Sequence, residues 1–248
     1  MRFLREKKFL VLFGINAVLY VIFIALDLIG LYAEKHSLPS PGLNAASNVL
    51  KYAGIVSCLV LAVLVARRPW QRQDARLQIV ILCFTVGADF FLLFTSRFTI
   101  GICIFYGAHL VALRRYWPKL LFVGVAAAAA GLLMFLFSLG EPSGRFAAAP
   151  DVSPSLVIYI CYVLLIICVT IAAFLSERPW ANKTLSKVGM CLFLVCDFHV
   201  ALFNTQPAGS SVSAVAFVLM WVFYLPAQSM LALSAHDFSV ARQDAGNP

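Results

Sequence analysis

Two aspartates, Asp89 and Asp197, stand inside long apolar runs, each followed by residues that can hold or exchange a proton. Asp89 belongs to GADFFLLF (Gly87 to Phe94); after a TSRFT turn, IGICIFYGAH carries Tyr106 and His109. Asp197 is followed by His199 and then, in the next apolar run, by Tyr224 and Gln228. A carboxylate at the centre of a membrane helix costs about 2.5–3.5 kcal/mol on insertion scales, so such a residue is normally given a partner or a task. Two carboxyls confined in one low-dielectric cavity do not both ionise readily, and they share a proton as an acid beside a carboxylate. That pair suits reactions needing a proton donor and an anionic stabiliser, as in glycoside hydrolysis. An intramembrane acid also has a purely structural use, hydrogen bonding a Ser, a Tyr or a backbone group to fix helix packing. His109 is equally readable as a satisfied interior histidine, and His199, two residues from Asp197, points away from it on a helix.

Other chemistries find no support. The chain contains no GxSxG, HExxH, P-loop or dinucleotide fingerprint. Its seven cysteines are scattered through apolar runs with no CxxC pair, which reads as small apolar filler and neither a metal site nor a disulfide frame. No metal or cofactor is expected.

The elements that must position the acids are membrane helices. The chain has 248 residues, 62% hydrophobic and 12% charged, with a mean hydropathy of +0.91, whereas soluble domains carry about 25% charged residues. Apolar runs predict eight spans: about Phe9 to Tyr32 (with Asp27 near its far end), Asn44 to Ala66, Arg76 to Phe94, Phe98 to Leu113, Pro118 to Leu139, Leu156 to Leu175, Thr184 to Phe203 and Ser211 to Ser234. The expected fold is an all-α integral membrane domain covering 1–248. The net charge of +8 lies in short loops between these runs, a positive-inside pattern that calls for no nucleic acid. With the amino terminus inside, about 15 of the 19 Lys and Arg fall on that side, and an even span count puts both termini in the cytoplasm. A bacterial inner membrane is the expected location.

The chain also repeats itself. Arg68-Pro69-Trp70 precedes Asp89 by 19 residues from the Trp, and Arg178-Pro179-Trp180 precedes Asp197 by 17. FYGAHLVAL (Phe105 to Leu113) returns as FYLPAQSMLAL (Phe223 to Leu233), with Gln228 in the place of His109. Four landmarks in order predict two parallel four-helix halves, 1–117 and 118–248, related by an axis along the membrane normal. The third and seventh spans would then face each other, with Asp89 and Asp197 about 13 residues into their helices, roughly 20 Å from the inner face. His109 and Gln228 would lie nearby, and Asp27 at a comparable level.

These segments resemble the YhhN-type lysoplasmalogenase family: GADFFLLF, Gly101-Phe105-His109 at four-residue spacing, Asp197 to Ala201, and Tyr224 to Gln228. The likeness spans most of the chain. Three positions depart from the family pattern, where Ala88 precedes the first Asp, Cys196 the second, and Ala112 follows His109 by three. The resemblance implies hydrolysis of the vinyl ether bond of a lysoplasmalogen to a fatty aldehyde and a glycerophospho-alcohol. Asp89 and Asp197 would be catalytic, with His109, Tyr106, Tyr224, Gln228 and Asp27 around the substrate. The partners would be a lysophospholipid and membrane lipids. Two other readings use the same residues: a proton-coupled transporter with midplane acids, and a non-catalytic scaffold or lipid-binding protein.

Overall fold

The computed structural model of the chain describes residues 7–39, 41–95, 98–120, 125, 154–207 and 209–238. Among them are seven α-helices and no strand: α1 (Lys7–Lys35), α2 (Leu43–Val65), α3 (Arg72–Phe94), α4 (Phe98–Tyr116), α5 (Pro154–Leu175), α6 (Trp180–Thr205) and α7 (Ser211–Leu233). The expected fifth span, beyond a 3-10 turn at Pro118–Leu120, lies outside the described residues. Five of the described helices, α1, α2, α3, α6 and α7, are long and apolar enough to cross a membrane. Large apolar side chains such as Val18, Val21, Leu164 and Ile171 are exposed along α1 and α5. Contiguous apolar surface of this kind is what a helix facing lipid presents.

Consecutive helices pack on one another from α1 to α4 and from α5 to α7, α4 packs on α5, and α7 returns to α2, α1 and α3. The expected face-to-face pairing of the third and seventh spans (α3 and α6) is not the arrangement found. They are not a principal packing pair; α6 packs instead on α5 and α7.

Two of the seams depend on glycine. A Cβ at Gly101 of α4 would stand 2.6 Å from Leu92 Cγ and 3.3 Å from the Ala88 carbonyl oxygen of α3. At Gly189 of α6 the corresponding distances are 2.9 Å to Leu231 Cγ and 3.3 Å to the Ala227 oxygen of α7. In membranes, where lipid is as apolar as Leu, such close backbone approach is the main source of helix association. Pro226 interrupts α7 and has no N–H for the carbonyl of Val222. The Tyr20 hydroxyl of α1 donates to that oxygen at 3.2 Å instead.

Both α3 and α4 run further toward the basic end than the apolar pattern suggests. α3 begins at Arg72 and α4 continues to Tyr116, because polar residues beyond the apolar runs bind one another there. The Arg115 guanidinium donates from Nε and Nη2 to the two carboxylate oxygens of Asp74, each at 2.9 Å. Its Nη2 also reaches Ser234 Oγ at 2.9 Å, and Nη1 donates to Gln78 Oε1. Arg178, from the connection before α6, donates to Asp74 as well, and Trp70 Nε1 donates to it at 3.0 Å. Asn182 Nδ2 donates to the carbonyls of Ser234 and His236 at 2.8 and 2.7 Å, tying down the chain after α7. The two Arg-Pro-Trp sequences thus serve differently: Trp70 is held by Asp74, whereas Trp180 is 81% exposed.

The glycine seam gives a direct test. Gly101→Val is expected to lower the thermal midpoint in detergent, overpacking of this kind costing about 1–3 kcal/mol. Gly14→Ala, where an added Cβ meets nothing within 4 Å, is expected to leave the midpoint unchanged or raise it slightly.

Candidate active site

Asp89 and Asp197 each lie 17 residues beyond the first residue of their helix, Arg72 in α3 and Trp180 in α6. That is about 26 Å of rise, further from the basic end than the expected 20 Å because the helices start earlier than the apolar runs do. Both side chains line one cavity of about 260 Å³. Each carboxylate accepts a hydrogen bond on Oδ2 from a tyrosine: Tyr224 of α7 donates to Asp89 at 2.6 Å, and Tyr162 of α5 donates to Asp197 at 2.6 Å. Asp89 is 2% exposed, while Asp197 is half-buried.

Seven of the other fifteen wall residues are aromatic and most of the rest are aliphatic. Tyr224 meets Phe193, Trp221 and Phe105 edge-on, at ring separations of 5.6, 5.5 and 6.4 Å. Such packing fixes the phenol and so the hydroxyl that Asp89 accepts from. Asn48 and Asn204 are the polar residues toward the end of the cavity remote from the basic loops; Asn48 Nδ2 donates to the Leu93 carbonyl at 3.2 Å, in the last turn of α3. The volume lies below the roughly 300–1,000 Å³ of pockets that enclose whole small molecules. Among the described residues, no three His, Cys, Asp or Glu side chains come together as a metal-ion site.

Tyr224 is thus brought to the acids as the sequence implied, and four other expected site residues are not. His109 and Gln228 line a separate small cavity, together with Gln78 and Thr85. The Tyr106 hydroxyl is buried without a hydrogen-bond partner, and Tyr106 is not part of the acid-lined wall. Asp27 does not line that wall either; it accepts from Lys51 Nζ at 2.9 Å and from Ser47 Oγ at 2.6 Å. Lys51 in turn lies 4.5 Å from the centre of the Phe217 ring and 4.7 Å from that of Trp221, two residues of the cavity wall. The ion pair therefore buttresses the wall from behind. His199 stacks on Phe223 at 5.6 Å and bonds the Val195 carbonyl through Nδ1, a packing role.

The YhhN family model matches residues 47–235. The chain belongs to the YhhN family. No curated protein and no solved structure matches it. The YhhN match takes in all the residues lining the cavity and leaves out α1.

Sequence reading missed Lys51 and Tyr162. For Lys51 a signal exists: Asp27 lies eight residues before the end of α1 and Lys51 eight after the start of α2, so an antiparallel hairpin sets opposite charges at one level. Tyr162 has no such mark. Removing only one charge of the buried pair, as in Asp27→Leu, is expected to destabilise the YhhN protein by about 3–5 kcal/mol. The double variant Asp27→Leu/Lys51→Met is expected to recover most of that, because no uncompensated charge remains. Thermal unfolding of the three proteins in one detergent measures both effects.

Proposed function

We propose that the chain hydrolyses the vinyl ether bond of a lysoplasmalogen, with Asp89 and Asp197 as the acid–base pair. The observation that carries the reading is two tyrosine-bound carboxyls on one largely apolar cavity among helices apolar enough to cross a membrane. Membership of the YhhN family supports it. The cavity would hold the vinyl ether and the glycerol next to it, while the alkyl chain stays among lipid tails.

The chemistry follows from the pair. One carboxyl, protonated, delivers its proton to the alkenyl carbon remote from oxygen, leaving an oxocarbenium ion. The aromatic walls and the two carboxylates stabilise that cation. Water adds to the carbon bonded to oxygen and gives its proton to the second carboxylate, forming a hemiacetal. As the hemiacetal collapses, the second carboxyl protonates the departing glycerol oxygen and the first takes the hemiacetal hydroxyl proton. Aldehyde and alcohol leave, and both acids return to their starting states. Tyr162 and Tyr224 occupy Oδ2 of each carboxylate, so Oδ1 of each is left for the reactants.

In this reading the Arg-rich end of the bundle, with both termini, faces the cytoplasm of a bacterial inner membrane. The two halves derive from a duplicated four-helix unit, and the acids sit toward the outer leaflet.

The test is aldehyde release from a lysoplasmalogen by purified protein in detergent. Asp89→Asn and Asp197→Asn are each expected to lower turnover by a factor of about 100 or more, the contribution of general acid–base catalysis. Folded wild-type protein releasing no aldehyde, or both variants retaining full activity, would overturn the proposal. Tyr162→Phe and Tyr224→Phe are expected to lower kcat by a smaller factor, about tenfold, consistent with one lost hydrogen bond to a charged group.

A further inference from the structure

Below the acid-lined cavity, toward the basic end, lies a second cavity of about 20 Å³. A single water needs roughly 10–15 Å³ by the same measure, together with polar partners. Three polar groups around it have unused hydrogen-bonding capacity. Gln78 is 1% exposed; its Oε1 accepts from Arg115, which fixes the amide orientation because a guanidinium only donates, and its Nε2 is buried without a partner. Gln228 is 1% exposed, and its Oε1 is likewise buried without a partner. His109 is 5% exposed, and its Nδ1 lies 2.8 Å from the Phe105 carbonyl oxygen. A carbonyl can only accept, so Nδ1 carries the proton in the neutral ring and Nε2 is left as an acceptor. Two hydroxyls also on the wall have partners: Thr85 donates to the Ile81 carbonyl at 3.0 Å, and Tyr116 accepts from Arg115 Nη1 at 3.4 Å. The remainder of the lining includes apolar side chains such as Met190, Phe193 and Leu231.

What remains on these three residues is the Gln78 amide NH2, with no partner for either N–H, and two acceptors, Gln228 Oε1 and His109 Nε2. A water molecule suits that set: it accepts from one Gln78 N–H and donates to the two acceptors, the usual count of about three for a buried water. We propose that this cavity is a resident water site, with one ordered water accepting from Gln78 and donating to Gln228 and His109. The water joins α3, α4 and α7 and links the Asp74–Arg115 cluster to the layer in which the His109 ring meets Tyr162 edge-on at 5.3 Å. His109 is then a positioning residue, held by the Phe105 carbonyl on one side and the water on the other, and it fixes the ring whose hydroxyl binds Asp197. The proposal does not depend on the hydrolase reading.

Its test is the sign of a stability change. Gln228→Met conserves much of the side-chain volume but removes one partner of the water. With a resident water, the thermal midpoint of the full-length protein in detergent is expected to fall, by about 2–4 °C for each kcal/mol lost in a chain of this size. Gln228→Met/His109→Phe is then expected to lose less than the sum of the single variants, since both act through one water. If the cavity is dry, Gln228→Met removes an unsatisfied buried oxygen, the midpoint rises and the two changes add; either result overturns the proposal. Should a variant fail to fold, a wild-type structure at a resolution that shows waters decides. Density within hydrogen-bond distance of Gln78, Gln228 and His109 supports the site, and a clear map that is empty there refutes it.

Discussion

One carboxylate, Asp74, holds the basic end of the bundle together. It accepts from Arg115 of α4, from Arg178 before α6, and from Trp70 at the entry to α3. Two guanidinium groups around one buried carboxylate leave positive charge to be spread over neutral acceptors, and Gln78, Ser186 and Ser234 take that part. Buried charges of this kind persist only when fully hydrogen bonded. The cluster therefore fixes where α3, α4 and α6 begin or end relative to one another. Asp89 and Asp197 are both 17 residues from the helix starts anchored there. Their common height in the bundle is a consequence of that anchoring.

At the other end of those 17 residues the two acids are treated alike in one respect and differently in another. Each is bonded by a tyrosine at 2.6 Å. The tyrosines do not occupy matching places in the repeated sequence. Phe105-Tyr106 corresponds to Phe223-Tyr224, yet Asp197 is served by Tyr162 of α5, and the Tyr106 hydroxyl is left without a partner. The resulting asymmetry leaves Asp89 buried and Asp197 half-buried on the one cavity that both line.

The helical fold and the two acids were legible because each follows from a strong local signal. Runs of 16 to 24 apolar residues with basic loops have one solution in a bilayer, and a carboxylate within such a run stands out against it. The flanking boundaries were less legible: Asp74 and Arg115 are charges beyond the apolar runs, and their pairing across α3 and α4 gives those extra turns partners that a hydropathy pattern does not show. The positions of His109 and Gln228 were legible as polar residues in apolar helices, but not their separation from the acids, which depends on Phe193 and Tyr162 coming from helices that share no sequence pattern with them. Asp27 was misplaced for the opposite reason. A lone acid attracts a functional reading until its counter-ion is found, and Lys51 lies 24 residues away across a hairpin.

The bond from Tyr20 to the Val222 carbonyl gives α1 a share in the integrity of α7, two helices separated in sequence by almost the whole chain. Pro226 created the vacancy that the phenol fills, and it lies only two residues from Tyr224. An N–H at position 226 would meet the Val222 carbonyl from within α7 and make the Tyr20 hydroxyl redundant there, whereas losing that hydroxyl with Pro226 in place takes away the donor that α1 supplies. Hydrogen-bond valence thus couples positions 20 and 226, which lie on different helices.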